Sequence, residues 1–83
     1  MRVKQFKGTY TQAEIVKLHL EAIRKINGGY ITIADYYHAI GRRSRKSHGK
    51  KGWKSLYDFR IVETDKAGVY TLVMSKPVHI EIK

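Results

Sequence analysis

The hydrophobic positions of this chain follow a helical period over the first third and a strand period over the last, with little period between them. At about 100° per residue, Ile15, Val16, Leu18, Leu20, Ala22, Ile23 and Ile26 fall on one broad arc. Lys17, Glu21, Arg24 and Lys25 fill the opposite arc, with Lys17, Glu21 and Lys25 spaced i, i+4 for charge pairing. This predicts a helix over about 12–26. Thr11-Gln12-Ala13-Glu14 fits a capping box at its start, with Tyr10 and Ile15 at the staple positions. Asn27-Gly28-Gly29 ends it, because glycine accepts the left-handed conformation that closes a helix.

Tyr30-Ile31-Thr32 is short and β-favouring, and Thr32-Ile33-Ala34-Asp35 repeats the capping pattern to open a second helix over about 33–40. Ile33, Tyr36, Tyr37 and Ile40 give that helix its apolar face, and Gly41 stops it. Tyr36 and Tyr37 are neighbours, so one of them is expected to be exposed or hydroxyl-bonded. Trp53, Leu56 and Tyr57, spaced i, i+3, i+4, predict a third helix over about 50–58, weakened by Gly49 and Gly52. Phe59–Thr64 and Val69–Met74 read as two strands of a hairpin, joined by Asp65-Lys66-Ala67-Gly68. After the break at Pro77, Val78, Ile80 and Ile82 alternate with polar residues as in a half-buried strand over 77–83. That strand joins the hairpin or pairs with its copy in a second subunit. An apolar edge needs covering, so the strand is expected to be ordered, and the gain from presenting two recognition surfaces to a two-fold site slightly favours the homodimer.

Length and charge sharpen this picture. With 83 residues the chain is one α+β domain, and 42% hydrophobic content is enough for one core. Seventeen Lys and Arg against seven Asp and Glu give a net charge of +10, which repels itself and calls for a polyanion. The charge is concentrated. Residues 1–9 form a basic arm, and residues 41–54 hold seven cations and no carboxylate. Within 41–54, Arg42, Arg43, Arg45 and Lys46, then Lys50, Lys51 and Lys54, are interleaved with Ser, His and Gly that let backbone approach phosphate. The three arginines can also take guanine O6 and N7 together. Trp53 and Tyr57 could stack on unpaired bases, but their spacing with Leu56 points to core packing.

Other chemistry is sparse. With no cysteine, disulfides and thiolate metal sites are excluded. Asp35 and His38 are spaced to share an ion, but no third ligand follows, and His19 is expected as a hydrogen-bonded core residue. No nucleophile elbow, phosphate-cradling glycine loop or paired-carboxylate signature is present, so neither an enzyme nor a cofactor is expected. No apolar run is long enough to span a bilayer, and a cytoplasmic protein is the default expectation.

The order of helix, short strand, helix, basic helix and hairpin resembles a winged helix-turn-helix DNA-binding domain. Gly28 to Asp35 is similar to the turn and strand leading into that family's second helix, and Trp53 to Thr64 to its recognition helix running into the wing. The resemblance implies a winged-helix-like α+β fold with two or three N-terminal helices, an antiparallel hairpin and a C-terminal strand. It implies that Lys50, Lys51, Lys54, Ser55 and Tyr57 lie toward the major groove, with Lys66 at the wing tip reaching a phosphate. The family joins its second and third helices by a short turn. Here residues 41–49 are long and charged, so they read as an inserted DNA-contacting arm or as the mark of a different fold. The expected function is binding of double-stranded DNA, with RNA as the other nucleic acid, by a small regulator or a phage or mobile-element protein. The alternatives are a ribosome-dependent RNase toxin, whose mid-sheet segment resembles Tyr57 to Val62, and a phage-encoded inhibitor of a nucleic-acid-bearing complex.

Overall fold

The first helix starts earlier than its apolar pattern suggests, because a different threonine caps it. The computed structural model describes residues 3–57 and 59–80. Within them α1 spans Tyr10–Asn27. The Thr9 hydroxyl accepts from the Gln12 N–H at 3.1 Å, and the Gln12 carboxamide oxygen accepts from the Thr9 N–H at 2.9 Å. The box is therefore Thr9–Gln12, and Thr11–Glu14 lies inside the helix. Gly28, at φ 85°, closes the other end as expected.

Only part of the predicted apolar arc is buried. Ala13, Val16 and Leu20 face the core, whereas Ile15, Leu18 and Ile26 are 61%, 63% and 83% exposed, and His19 lies exposed beside them. His19 is thus no core residue. The arc is too broad for one contact face: the side toward Val16 and Leu20 meets the rest of the chain, and the side toward Ile15 and Ile26 does not.

Strand β1 (Ile31–Thr32) runs directly into α2 (Ile33–Ala39), where Thr32 and Asp35 form the expected capping box. The Asp35 carboxylate accepts from the Thr32 N–H at 2.9 Å and from Asn27 Nδ2 at 3.1 Å, which ties α2 to the end of α1. Tyr36 and Tyr37 are both buried, and both use their hydroxyls. Tyr36 donates to the Lys4 carbonyl at 2.7 Å and accepts from the Phe6 N–H at 3.1 Å, while Tyr37 accepts from the Lys4 N–H at 3.0 Å. The N-terminal segment is laced onto α2 by these two phenols. Burial pushes the Tyr36 hydroxyl up to about 12.

No third helix forms among the described residues 50–57. After a 3₁₀ turn, η1 (Lys46–Gly49), the chain forms β2 (Lys51–Trp53), the central strand of an antiparallel sheet ordered β1-β2-β5. Register places Ile31 opposite Trp53 and Thr32 opposite Gly52. Glycine is needed at 52 for close approach. A Cβ there would collide with the Ile31 carbonyl oxygen and lie 2.6 Å from Thr32 Cα. Pairing on both sides gives these backbone groups partners that a short helix interrupted by glycines would not. Trp53 goes into the core as expected, its indole N–H donating to the Ser75 carbonyl at 2.7 Å. Tyr57 does not follow it, and Asp58 lies outside the described residues.

The hairpin forms as expected. β3 (Arg60–Glu63) pairs with β4 (Tyr70–Val73), with Ile61 opposite Leu72, in a separate two-stranded sheet against α1. The last strand does not add to it. β5 (Val78–His79) pairs with β2 in the same chain, Lys51 opposite His79, and Ile80 is buried beyond it. The edge that β5 covers belongs to β2, so its partner within the chain is not the hairpin. Val78 is exposed, against its expected place in the apolar stripe, and residues 81–83 lie outside the described residues. The core joins Val16 and Leu20 of α1, Ile31 of β1, Ile33 and Tyr36 of α2, Trp53 of β2 and Leu72 of β4, with Phe59 just before β3. No helix among the described residues is long and apolar enough to cross a membrane.

Candidate nucleic-acid interface

Seven cations crowd residues 42–54, and how firmly the chain holds them decides what they can do. A free loop must be ordered by whatever it binds, at a cost of about 1–2 kcal/mol per residue fixed. This segment is already anchored at both ends. At its start, Gly41 takes φ 74° and the Arg42 N–H donates to the Tyr37 carbonyl at 2.8 Å, turning the chain off the end of α2. At its finish, β2 is held between β1 and β5, the Ile80 N–H donates to the Lys50 carbonyl at 2.9 Å, and Arg24 Nε donates to the Lys54 carbonyl at 2.8 Å.

Between these anchors stands His48, the one buried side chain described between Gly41 and Lys51. Its Nδ1 accepts from the Arg45 backbone N–H at 2.9 Å, while the His48 backbone N–H donates to the Arg45 carbonyl at 3.0 Å. Its ring packs edge-on against Tyr37, centroids 4.7 Å apart at 89°. His48 therefore fastens the middle of the basic segment to α2. In the sequence it reads only as one of several small and polar residues among the cations. The missed signal is that it is the only residue from Gly41 to Lys51 with a ring to bury.

Arg42, Arg43 and Arg45 lie in irregular chain before η1 and are exposed. Lys46 opens η1. Lys50, Lys51 and Lys54 are exposed along and beside β2, and the exposed His79 lies opposite Lys51 in the register. None of these residues is on a recognition helix, because no helix forms there. They decorate a pinned loop and the strand that continues it.

Ser55 and Tyr57 occupy a different place. The loop after β2 folds back over α1, and a cavity of about 390 Å³ opens between them, lined by Lys17, Glu21, Arg24 and Lys25 on one side and Ser55, Leu56 and Tyr57 on the other. Tyr57 is 96% exposed and stands between this cavity and a second hollow that it shares with Arg60 and Val73. The fold thus brings three cations of α1, which the sequence pattern assigns to a solvated face, next to two expected site residues. Their spacing of i, i+7 and i+8 along one side of α1 was the available signal.

Lys66 is apart from all of these. It sits in the β3–β4 loop with Asp65, where the Glu63 carboxylate accepts from the Gly68 N–H at 3.3 Å. Asp65 in that loop and Glu63 at the end of β3 set two carboxylates against one lysine. Asp35, spaced with His38 in the sequence, uses its Oδ2 to accept from the Thr32 N–H in the cap of α2 and from Asn27 Nδ2. Among the described residues no three His, Asp or Glu side chains converge. No family model matches the chain, and neither a curated protein nor a solved structure matches it.

Proposed function

We propose that the protein binds nucleic acid, double-stranded DNA first, through the segment from Arg42 to Lys54. The observation that supports this reading is a dense cationic run held in one conformation. Arg42, Arg43, Arg45, Lys50, Lys51 and Lys54 are all exposed, while His48, β1 and β5 fix the backbone beneath them. Phosphate contacts provide affinity by releasing counterions, and a preformed loop presents them without a large ordering cost. The protein acts as a binder and not as an enzyme, in the role of a small regulator or a mobile-element DNA-binding protein.

The test is fluorescence anisotropy with duplex DNA, single-stranded DNA and RNA across a salt series. Four to seven phosphate contacts give a slope of log affinity against log salt of roughly −4 to −6. Changing Arg42, Arg43 and Arg45 together to Glu abolishes binding and leaves the helical circular dichroism intact. Unchanged affinity in that variant overturns the assignment of this segment.

Tyr57 favours a second reading. A fully exposed aromatic ring flanked by Lys17, Lys25 and Arg60 is suited to stacking an unpaired base, worth about 1–3 kcal/mol. On this reading Tyr57→Ala weakens single-stranded binding at least fivefold and leaves duplex binding unchanged. Cleavage of RNA that disappears in the same variant would mark an RNase instead.

A further inference from the structure

The apolar residues left over by the core lie on one side of α1. At about 100° per residue, Ile15, Leu18, Ala22 and Ile26 fall within about 80° of arc, turned well away from the buried Ala13, Val16 and Leu20. Three large aliphatic side chains more than 60% exposed along three turns of one helix make a stripe, not scattered surface residues. The hairpin, α2 and the β1-β2-β5 sheet all pack elsewhere.

The charges around the stripe indicate what covers it. α1 carries Lys17, Arg24 and Lys25 against Glu14 and Glu21, so it is nearly neutral in a chain of net charge +10. It is therefore a part of the surface where a second, equally basic copy can approach. The pattern is also self-complementary when reversed. In an antiparallel pair of α1 helices crossing near Leu20, Leu18 of one copy faces Ala22 of the other, and Ile15 lies level with the opposite Lys25–Ile26 step. Glu14 and Lys25 flank the stripe on the same side, so Glu14 of each copy meets Lys25 of the other, twice across the two-fold axis. Antiparallel packing sets the helix dipoles favourably as well.

We infer that the protein forms a two-fold homodimer through the Ile15–Leu18–Ala22–Ile26 face of α1. This stands independently of nucleic-acid binding, although a dimer presents the basic segment twice. The contact is small, so the dimer dissociates at a Kd on the order of 10–100 μM. Because like charge opposes association, added salt tightens the dimer, the reverse of its effect on phosphate binding.

Sedimentation equilibrium from 5 to 500 μM tests this. The intact chain moves from monomer to dimer across that range. Ile15→Ser, Leu18→Ser and Ile26→Ser combined keep it monomeric at 500 μM, with the melting temperature and circular dichroism at 5 μM, where both proteins are monomers, unchanged because these side chains are exposed in the monomer. Glu14→Lys weakens the dimer at least fivefold, and adding Lys25→Glu restores it. A monomeric intact protein at 500 μM, or a dimer that survives the triple serine variant, overturns the proposal. A charge exchange that fails to restore association overturns the antiparallel register. A larger assembly held by the stripe overturns the two-fold arrangement.

Discussion

Replacing His48 with alanine removes the fastening of the basic segment while leaving every cation in place. Three losses follow from the geometry. The edge-on contact with Tyr37 is worth about 0.5–1.5 kcal/mol. The Arg45 N–H loses its acceptor, a net loss of about 1 kcal/mol. The buried ring also leaves a small void against α2. Solvent filling the void and relaxation of the loop offset part of this, and the sum is about 2 kcal/mol. For a chain of this length that lowers the melting temperature by roughly 8–16 °C. The effect on binding is capped by the same quantity. If nucleic acid must re-order the freed segment, affinity falls by up to about thirtyfold, since about 1.4 kcal/mol is a factor of ten. The salt slope stays the same, because the number of cations meeting phosphate is unchanged. His48→Phe separates the parts, keeping the ring and losing only the acceptor. Thermal denaturation and anisotropy on the three proteins check the reasoning. A melting temperature within 2 °C of the parent in His48→Ala would refute the claim that His48 holds the loop, and a shallower salt slope would show that the anchor and the contacts are not separable.

Gly52→Ala forces a methyl group into the β1 backbone, and since backbone cannot rotate away as a side chain can, we expect a loss of about 3 kcal/mol by chemical denaturation; a loss under 0.5 kcal/mol would show that β1 and β2 are not so close. Thr71 is buried, and among the described residues its Oγ1 has no hydrogen-bond partner, so Thr71→Val raises stability by about 1 kcal/mol in the same assay. Tyr36 gives an alkaline signature. Its folded-state value is raised from 10.0 to about 12, so its contribution is fully present below pH 10 and is lost as pH rises through about 12. Urea midpoints between pH 8 and 12 therefore fall more steeply for the parent than for Tyr36→Phe, and equal slopes would contradict the burial of that hydroxyl.

The elements visible in the sequence were those whose signals are local. The Thr32–Asp35 cap, the Gly28 stop and the Asp65–Gly68 turn each lie within a few residues of what they control, and each appears where the pattern puts it. The third helix failed because β2 is defined from outside. Three residues acquire strand geometry from Ile31–Thr32 on one side and Val78–His79 on the other, and no periodicity within Lys51–Trp53 encodes that. Gly52, read as a weak point of a helix, is the residue that lets the strands meet. The cations of the candidate interface were legible as composition, but their division was not. Folding back of the loop after Lys54 carries Ser55 and Tyr57 to the cationic side of α1, away from Arg42–Arg45, and the hairpin loop leaves Lys66 beside carboxylates.

The place of β5 has a consequence for the order of events in folding. The strand beneath Lys50 and Lys51 is completed by residues some thirty positions further along, after the hairpin has intervened. Such non-local pairing forms late, because a long loop must close before the contact rewards it. α1, β1 and α2 can associate as soon as they exist, yet the cationic surface reaches its final shape only when Val78 to Ile80 arrive. A nascent chain that has not yet placed β5 therefore carries the basic segment without its geometry, and the defined arrangement of those cations appears together with completion of the fold.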